Sequence, residues 1–267
     1  MRKDMAVAKP GLSMIVTSAE TAAGRGGGVF RKSASVLMIL AFVFAAPSLQ
    51  TFAHDIIAKT ASGRSLVLLQ VEKDAGSLVI TCKDSGLTLN DPVVALTGLD
   101  ELEDLRELRF YHVPQISSYS FLTACKSLEK LIISFGRVRS LEFLSGMADL
   151  KVLHLEFCDD WESEYGLPFA VYPIDLSENP RLEYLAFRVC SLKHLPVLEN
   201  VPESLMFADF SYNPLMIGEG DIDALHALRN LRGIYLAGAS ASGRVIKNYK
   251  NLVFDDAGPL LSEYIGE

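Results

Sequence analysis

The sequence predicts a solenoid in which short parallel strands stack into a curved sheet on a concave side. Extended, 3-10 or short helical returns are expected on the convex side, and capped ends at either terminus. Two observations carry this. A leucine-spaced segment recurs six times, and a separate position eight residues after each start is small or polar in nearly every copy. Hydrophobic residues make up 49% of the 267, enough to fill a continuous core between stacked units.

Residues 1–53 read as a leader. Val36 to Ala46 is an unbroken apolar run with Arg31 and Lys32 ahead of it, and Thr51-Phe52-Ala53 follows as a small–x–Ala site. Positive flank, apolar segment (36–46) and small-residue site in that order are the layout of a secretory signal peptide. The run rises only about 16 Å as a helix, roughly half a bilayer core, so cleavage after Ala53 is preferred over an uncleaved anchor. The stretch ahead of it is rich in Ala, Gly and Ser without periodicity, and Met14 offers an internal start. No stable membrane span is expected after cleavage.

Residues 54–95 read as an N-terminal cap holding one degenerate repeat. Ser65 to Lys73, Asp74 to Gly76 and Ser77 to Cys82 have the pattern of strand, turn and strand. Repeats occupy 96–239. Their starts are Leu105, Leu128, Leu150, Leu182, Leu205 and Leu231, giving steps of 23, 22, 32, 23 and 26. Each opens as L-x-x-L-x-L, for example Leu150-Lys-Val-Leu153-His-Leu155, with Ala208 standing in for one Leu. Eight residues after each start lie Val113, Gly136, Cys158, Cys190, Asn213 and Ala239. The last long step leaves room for a helix over 221–230.

This pattern resembles the leucine-rich-repeat family, and the period is similar to that of bacterial internalin-type repeats. Apolar residues three before several starts (Leu102, Met147, Leu228) fit that subclass. The resemblance implies a protein-binding scaffold whose ladder residues Cys158, Cys190 and Asn213 turn inward and bond the turn backbone. Cys158 and Cys190 occupy one ladder position in consecutive repeats, where neighbours lie about 4.8 Å apart, so a disulfide is within reach beside the thiol reading.

The 32-residue step carries an insertion at 159–175 with Trp161 and Tyr165 among its aromatics and Asp159, Asp160, Glu162 and Glu164 among its acids. It reads either as a partner-contacting loop or as one that tucks its aromatics against the solenoid. The acids lack the spacing of a calcium loop and read as a solvated run. Residues 240–267 read as a C-terminal cap, with 251–254 as a last strand.

Alternate strand residues line the concave face. The candidate protein-binding set there is Arg109, Tyr111, Ile132, His154, Glu156, Tyr184, Arg188, Phe207, Asp209 and Tyr235. Aromatic and aliphatic groups interleaved with charges of both signs suit a protein-binding groove. Catalysis has no such support. The five histidines are dispersed, and no nucleophile elbow, H-E-x-x-H or phosphate-cradling loop is present. No cofactor and no metal are expected. The chain carries 25 basic and 33 acidic residues; removing the leader's six and two leaves 19 against 31, a net charge of −12. Nucleic acid is therefore not an expected partner. The expectation is a secreted, periplasmic or envelope monomer that binds a protein. The alternative is an intracellular scaffold or regulator, should the apolar run not direct export.

Overall fold

The computed structural model of the chain describes residues 54–83, 85–158 and 173–266. The expected leader, and the insertion as far as 172 including Trp161 and Tyr165, lie outside the described residues.

The chain enters through an antiparallel pair, β1 (His54–Thr60) and β2 (Ser65–Val71). The next strand, β3 (Ser77–Thr81), does not pair with β2 as a simple strand–turn–strand unit would. It opens the solenoid sheet, while β4 (Val93–Thr97) returns to β1 and makes the first sheet β2-β1-β4. The reason lies in spacing. Leu78 and Ile80 sit in register with Leu108 and Phe110 of the following repeat, and stacking on that repeat buries both.

The remaining strands are β5 (Glu107–Val113), β6 (Lys130–Gly136), β7 (Val152–Glu156), β8 (Ile174–Asp175), β9 (Tyr184–Arg188) and β10 (Leu198–Glu199). They continue with β11 (Phe207–Asp209), β12 (Met216–Ile217), β13 (Gly233–Tyr235), β14 (Ser240–Ala241) and β15 (Leu252–Val253). Seven of these join β3 in one eight-stranded parallel sheet in the order β3-β5-β6-β7-β9-β11-β13-β15. The chain is a leucine-rich-repeat solenoid. Leu108, Leu131, Leu153, Leu185, Ala208 and Ile234 are direct neighbours across its sheet, the register the repeat spacing requires. The convex returns include 3-10 turns at Leu99–Glu101, Ser120–Ala124 and Glu142–Leu144, and two short parallel pairs, β8-β10 and β12-β14. Helix α1 (Ile222–Ala227) lies inside the stretch read as helical, and α2 (Gly243–Asn248) follows β14.

Six strands of the large sheet, β5, β6, β7, β9, β11 and β13, lead into the same turn. His112, Phe135, Phe157, Val189, Tyr212 and Gly238, all seven residues after a repeat start, have positive φ: 50° to 59° for the five side-chain-bearing residues and 80° for the glycine. The left-handed turn swings the chain off the sheet and points the following ladder residue into the core. For a residue with a Cβ that conformation costs about 1–2 kcal/mol. Three of these side chains offset part of the cost by stacking: His112 on Phe135 at 4.5 Å and Phe135 on Phe157 at 4.6 Å, both nearly coplanar.

The ladder is buried from Val113 to Asn213, and Ala239 at its end is half-buried. Asn213 Oδ1 accepts from the Cys190 and Leu192 amides at 2.8 and 3.1 Å, while its Nδ2 donates to the Phe187, Phe210 and Ser211 carbonyls. Cys158 Sγ donates to Ile133 O at 3.1 Å and Cys190 Sγ to Arg188 O at 3.0 Å; all four cysteines are buried thiols. Gly136 is the ladder residue where nothing larger fits, because a Cβ there would stand 2.7 Å from Tyr119 Oη and 2.8 Å from Ile133 Cγ2.

Candidate functional site: the concave face and the segment that fills it

The register aligns the concave side chains in three rows across the strands. One row runs Glu107, Lys130, Val152, Tyr184, Phe207 and Gly233; the next Arg109, Ile132, His154, Ala186, Asp209 and Tyr235. The third holds Tyr111, Ser134, Glu156 and Arg188. Strand alternation brings all ten candidate residues of this face onto one surface.

The face is not open to solvent. Ile132, His154, Tyr184, Arg188 and Asp209 are each at most 4% exposed; Phe207 and Tyr235 are half-buried, and Tyr111 is 50% exposed. What covers them is the end of the chain. After β15 the backbone turns back through Asp255 and Asp256 into α3 (Gly258–Leu260), a π-helical turn at Leu261–Ile265 and a left-handed Gly266. Ala257, Leu260, Tyr264 and Ile265 form a second apolar cluster with Ile132, Val152, Tyr184 and Ala186, distinct from the cluster inside the solenoid. Tyr264 stacks on Tyr184 with ring centroids 5.0 Å apart and planes 8° from parallel. The expected C-terminal cap thus splits in function: β15 continues the sheet, and 257–265 crosses the concave face. The physical reason is that Ile132, Val152, Tyr184 and Ala186 form a contiguous apolar patch on β6, β7 and β9 that is unfavourable to leave in water.

Polar contacts fix the ends of the segment. Arg109 Nη2 donates to Ile265 O at 2.5 Å, and Arg109 is itself paired with Glu107. At the other end Asp256 accepts from Tyr212 Oη at 2.6 Å and from Arg188 Nη1 at 3.2 Å. Arg188 also holds Asp209 at 2.6 Å and approaches Glu156 at 3.7 Å, with its guanidinium 5.2 Å from the Tyr212 ring centroid. Tyr184 Oη completes the group by donating to Asp209 at 3.2 Å. The hydrogen bond from Tyr212, and then Arg188, holds the Asp256 carboxyl below the usual carboxylate range; the same bond raises the Tyr212 phenol. Burial, with Arg188 and Arg109 adding to it, drives the His154 imidazole down to about 3, so it is neutral here. Its Nδ1 has no hydrogen-bond partner among the described residues.

Asp256, Leu260, Tyr264 and Ile265 were not legible as site residues. The available signal was the spacing Leu260, Leu261, Tyr264, Ile265 in an otherwise acidic terminus, which has an apolar side but does not say what it covers. Elsewhere, a cleft of about 560 Å3 on the convex side is lined by Arg139, Glu142, Asp175 and Glu178 among others. Among the described residues no group of three or more His, Cys, Asp or Glu could hold a metal, and no helix is long and apolar enough to cross a membrane.

No protein-family model matches the chain, and none of the curated proteins matches it in sequence. Among solved structures it is similar to an internalin of Listeria monocytogenes, with TM-score 0.40 and 18% identity over 72% of this chain and 60% of that one. It is similar also to internalin C2 of Listeria monocytogenes, with TM-score 0.37 and 15% identity over 70% of this chain and 83% of that one. The chain therefore spans 60% of the length of the first of these structures.

Proposed function

We propose that the chain is an exported, non-enzymatic recognition module that binds a protein partner through the concave face of its solenoid. The observation that carries this reading is the composition of that face. Its middle strands present Ile132, Val152, Tyr184 and Phe207 beside a buried Arg188–Asp209 pair, and the face already holds a short helical segment by aromatic stacking and charge-assisted hydrogen bonds. Aromatic anchors next to an oriented guanidinium are the chemistry of interface hot spots. Arg109, Tyr111, Glu156 and Tyr235 supply a more exposed rim around it, and Trp161 and Tyr165 of the insertion are proposed to extend the contact.

Affinity capture with the full chain tests the concave face. A partner held by the parent chain and lost at least ten-fold from a Phe207→Ala/Tyr235→Ala variant of unchanged melting temperature supports it. Undiminished capture by that variant moves the site elsewhere. Export is tested separately by fractionation with N-terminal sequencing of the product. A cytoplasmic product that keeps residues 36–46 would refute export and leave the intracellular scaffold in its place.

A further inference from the structure

The C-terminal segment sits on the concave face as a ligand would. The apolar cluster inside the solenoid closes without it, since the groove cluster is separate. The segment begins after Val253, the last residue paired in the sheet, so it can leave without breaking a strand. Its own backbone bonds are local: Leu260 and Leu261 amides to Ala257 O, and Gly266 amide to Leu261 O. One turn of α-helix followed by one π turn has little stability of its own and depends on the surface beneath it. Among the described residues its polar ties to the solenoid lie at its two ends: Asp256 with Tyr212 and Arg188, and Ile265 O with Arg109. Asp256 remains 45% exposed, within reach of a competing cation or of solvent.

We propose that residues 256–265 are a displaceable intramolecular ligand of the concave groove. The partner segment that replaces them shares their chemistry: an acidic side chain for Arg188 and Tyr212, then a short helical turn offering aliphatic and aromatic side chains to Ile132, Val152 and Tyr184. This rests on reading the concave face as the binding surface. The tether raises the local concentration of the segment, so the closed form excludes weak ligands and opens for those that match it better.

The test uses a fluorescent peptide of residues 254–267 added to the full chain and to a full-length Asp256→Ala/Tyr264→Ala variant, whose own segment is weakened while the sheet is intact. The peptide should bind the variant at least ten-fold tighter than the parent, and adding Phe207→Ala should abolish binding. Equal affinity for parent and variant, or binding to neither, would overturn the proposal. Should the variant fail to fold, hydrogen exchange on the unaltered chain decides. Amides of 260, 261 and 266 should exchange at least a hundred-fold faster than those of β6 and β7; exchange only with the sheet would make the segment permanent core. Partner capture that is lost on altering Phe207 and Tyr235 but indifferent to the tail variant would leave the groove reading intact and remove only this one.

Discussion

His154 lies in the middle row of the concave sheet, 3% exposed, between Ile132 and Ala186 in register. Its pKa in the folded chain is about 3, against about 6.5 in an unfolded one, because burial disfavours the imidazolium. The unfolded chain therefore binds more protons between about pH 3 and pH 6.5. The stability that neutral His154 allows is complete above about pH 6.5 and is lost as pH falls toward 3, by up to about 1.4 kcal/mol per unit. Urea unfolding at pH 7 and pH 5 should show the parent losing about 2 kcal/mol more than a His154→Leu variant, the carboxylates being common to both. Identical losses would mean that His154 is not buried neutral. Nothing in the sequence marked this residue as buried, since strand alternation places it on the outer side of the sheet. Asn213, by contrast, was legible, because a lone amide at the ladder position has one economical role, and five hydrogen bonds realise it.

Strand ends were the opaque element. The left-handed position seven residues after each start is filled by His, Phe, Phe, Val, Tyr and Gly, and only the Gly is a residue type that announces positive φ. The solenoid geometry imposes the turn and overrides local preference, so no propensity argument could have found it. Val189 is the extreme case: a β-branched residue at φ 50°. Replacing it with Asn, which tolerates this conformation, should raise stability by about 0.5–1 kcal/mol, since the amide bond to Ser211 O is kept. A chemical-denaturation midpoint lowered by the substitution would show that the Val189 side chain contributes packing that outweighs its strain. The C-terminal turn was opaque for a different reason. An apolar side on a short terminal segment can seal an end or fill a groove, and the choice depends on the shape of the surface it meets.

At the scale of the whole molecule, the repeat period and the ladder were enough to reach the parallel sheet, its strand order and its inward register. They gave no account of the antiparallel β2-β1-β4 sheet, because β3 sits between its members in sequence but shares the repeat spacing of the solenoid. The four cysteines, spread from the end of β3 ahead of the first repeat to the ladder position of the fourth, make a probe of how far the stack opens as a unit. Burial pushes the Cys82 and Cys125 thiols up to about 11, and Cys158 and Cys190 donate to backbone carbonyls. A disulfide-exchange reagent at neutral pH should therefore modify less than one thiol quickly in the native chain and all four in denaturant. Rapid modification of one cysteine alone would instead locate a repeat that opens independently of its neighbours.

The eight-stranded sheet stops on β15, a strand of two residues, Leu252–Val253. Filament growth by a repeat protein is head to tail: the last strand of one copy must template the first strand of the next, over a length that repays its ordering. Two residues of open ladder are too short a template, however long the facing edge of β3. One blunt end is sufficient, because an open-ended polymer needs both. Extending β15 by a few β-branched residues would be the direct route to turning this solenoid into a fibre.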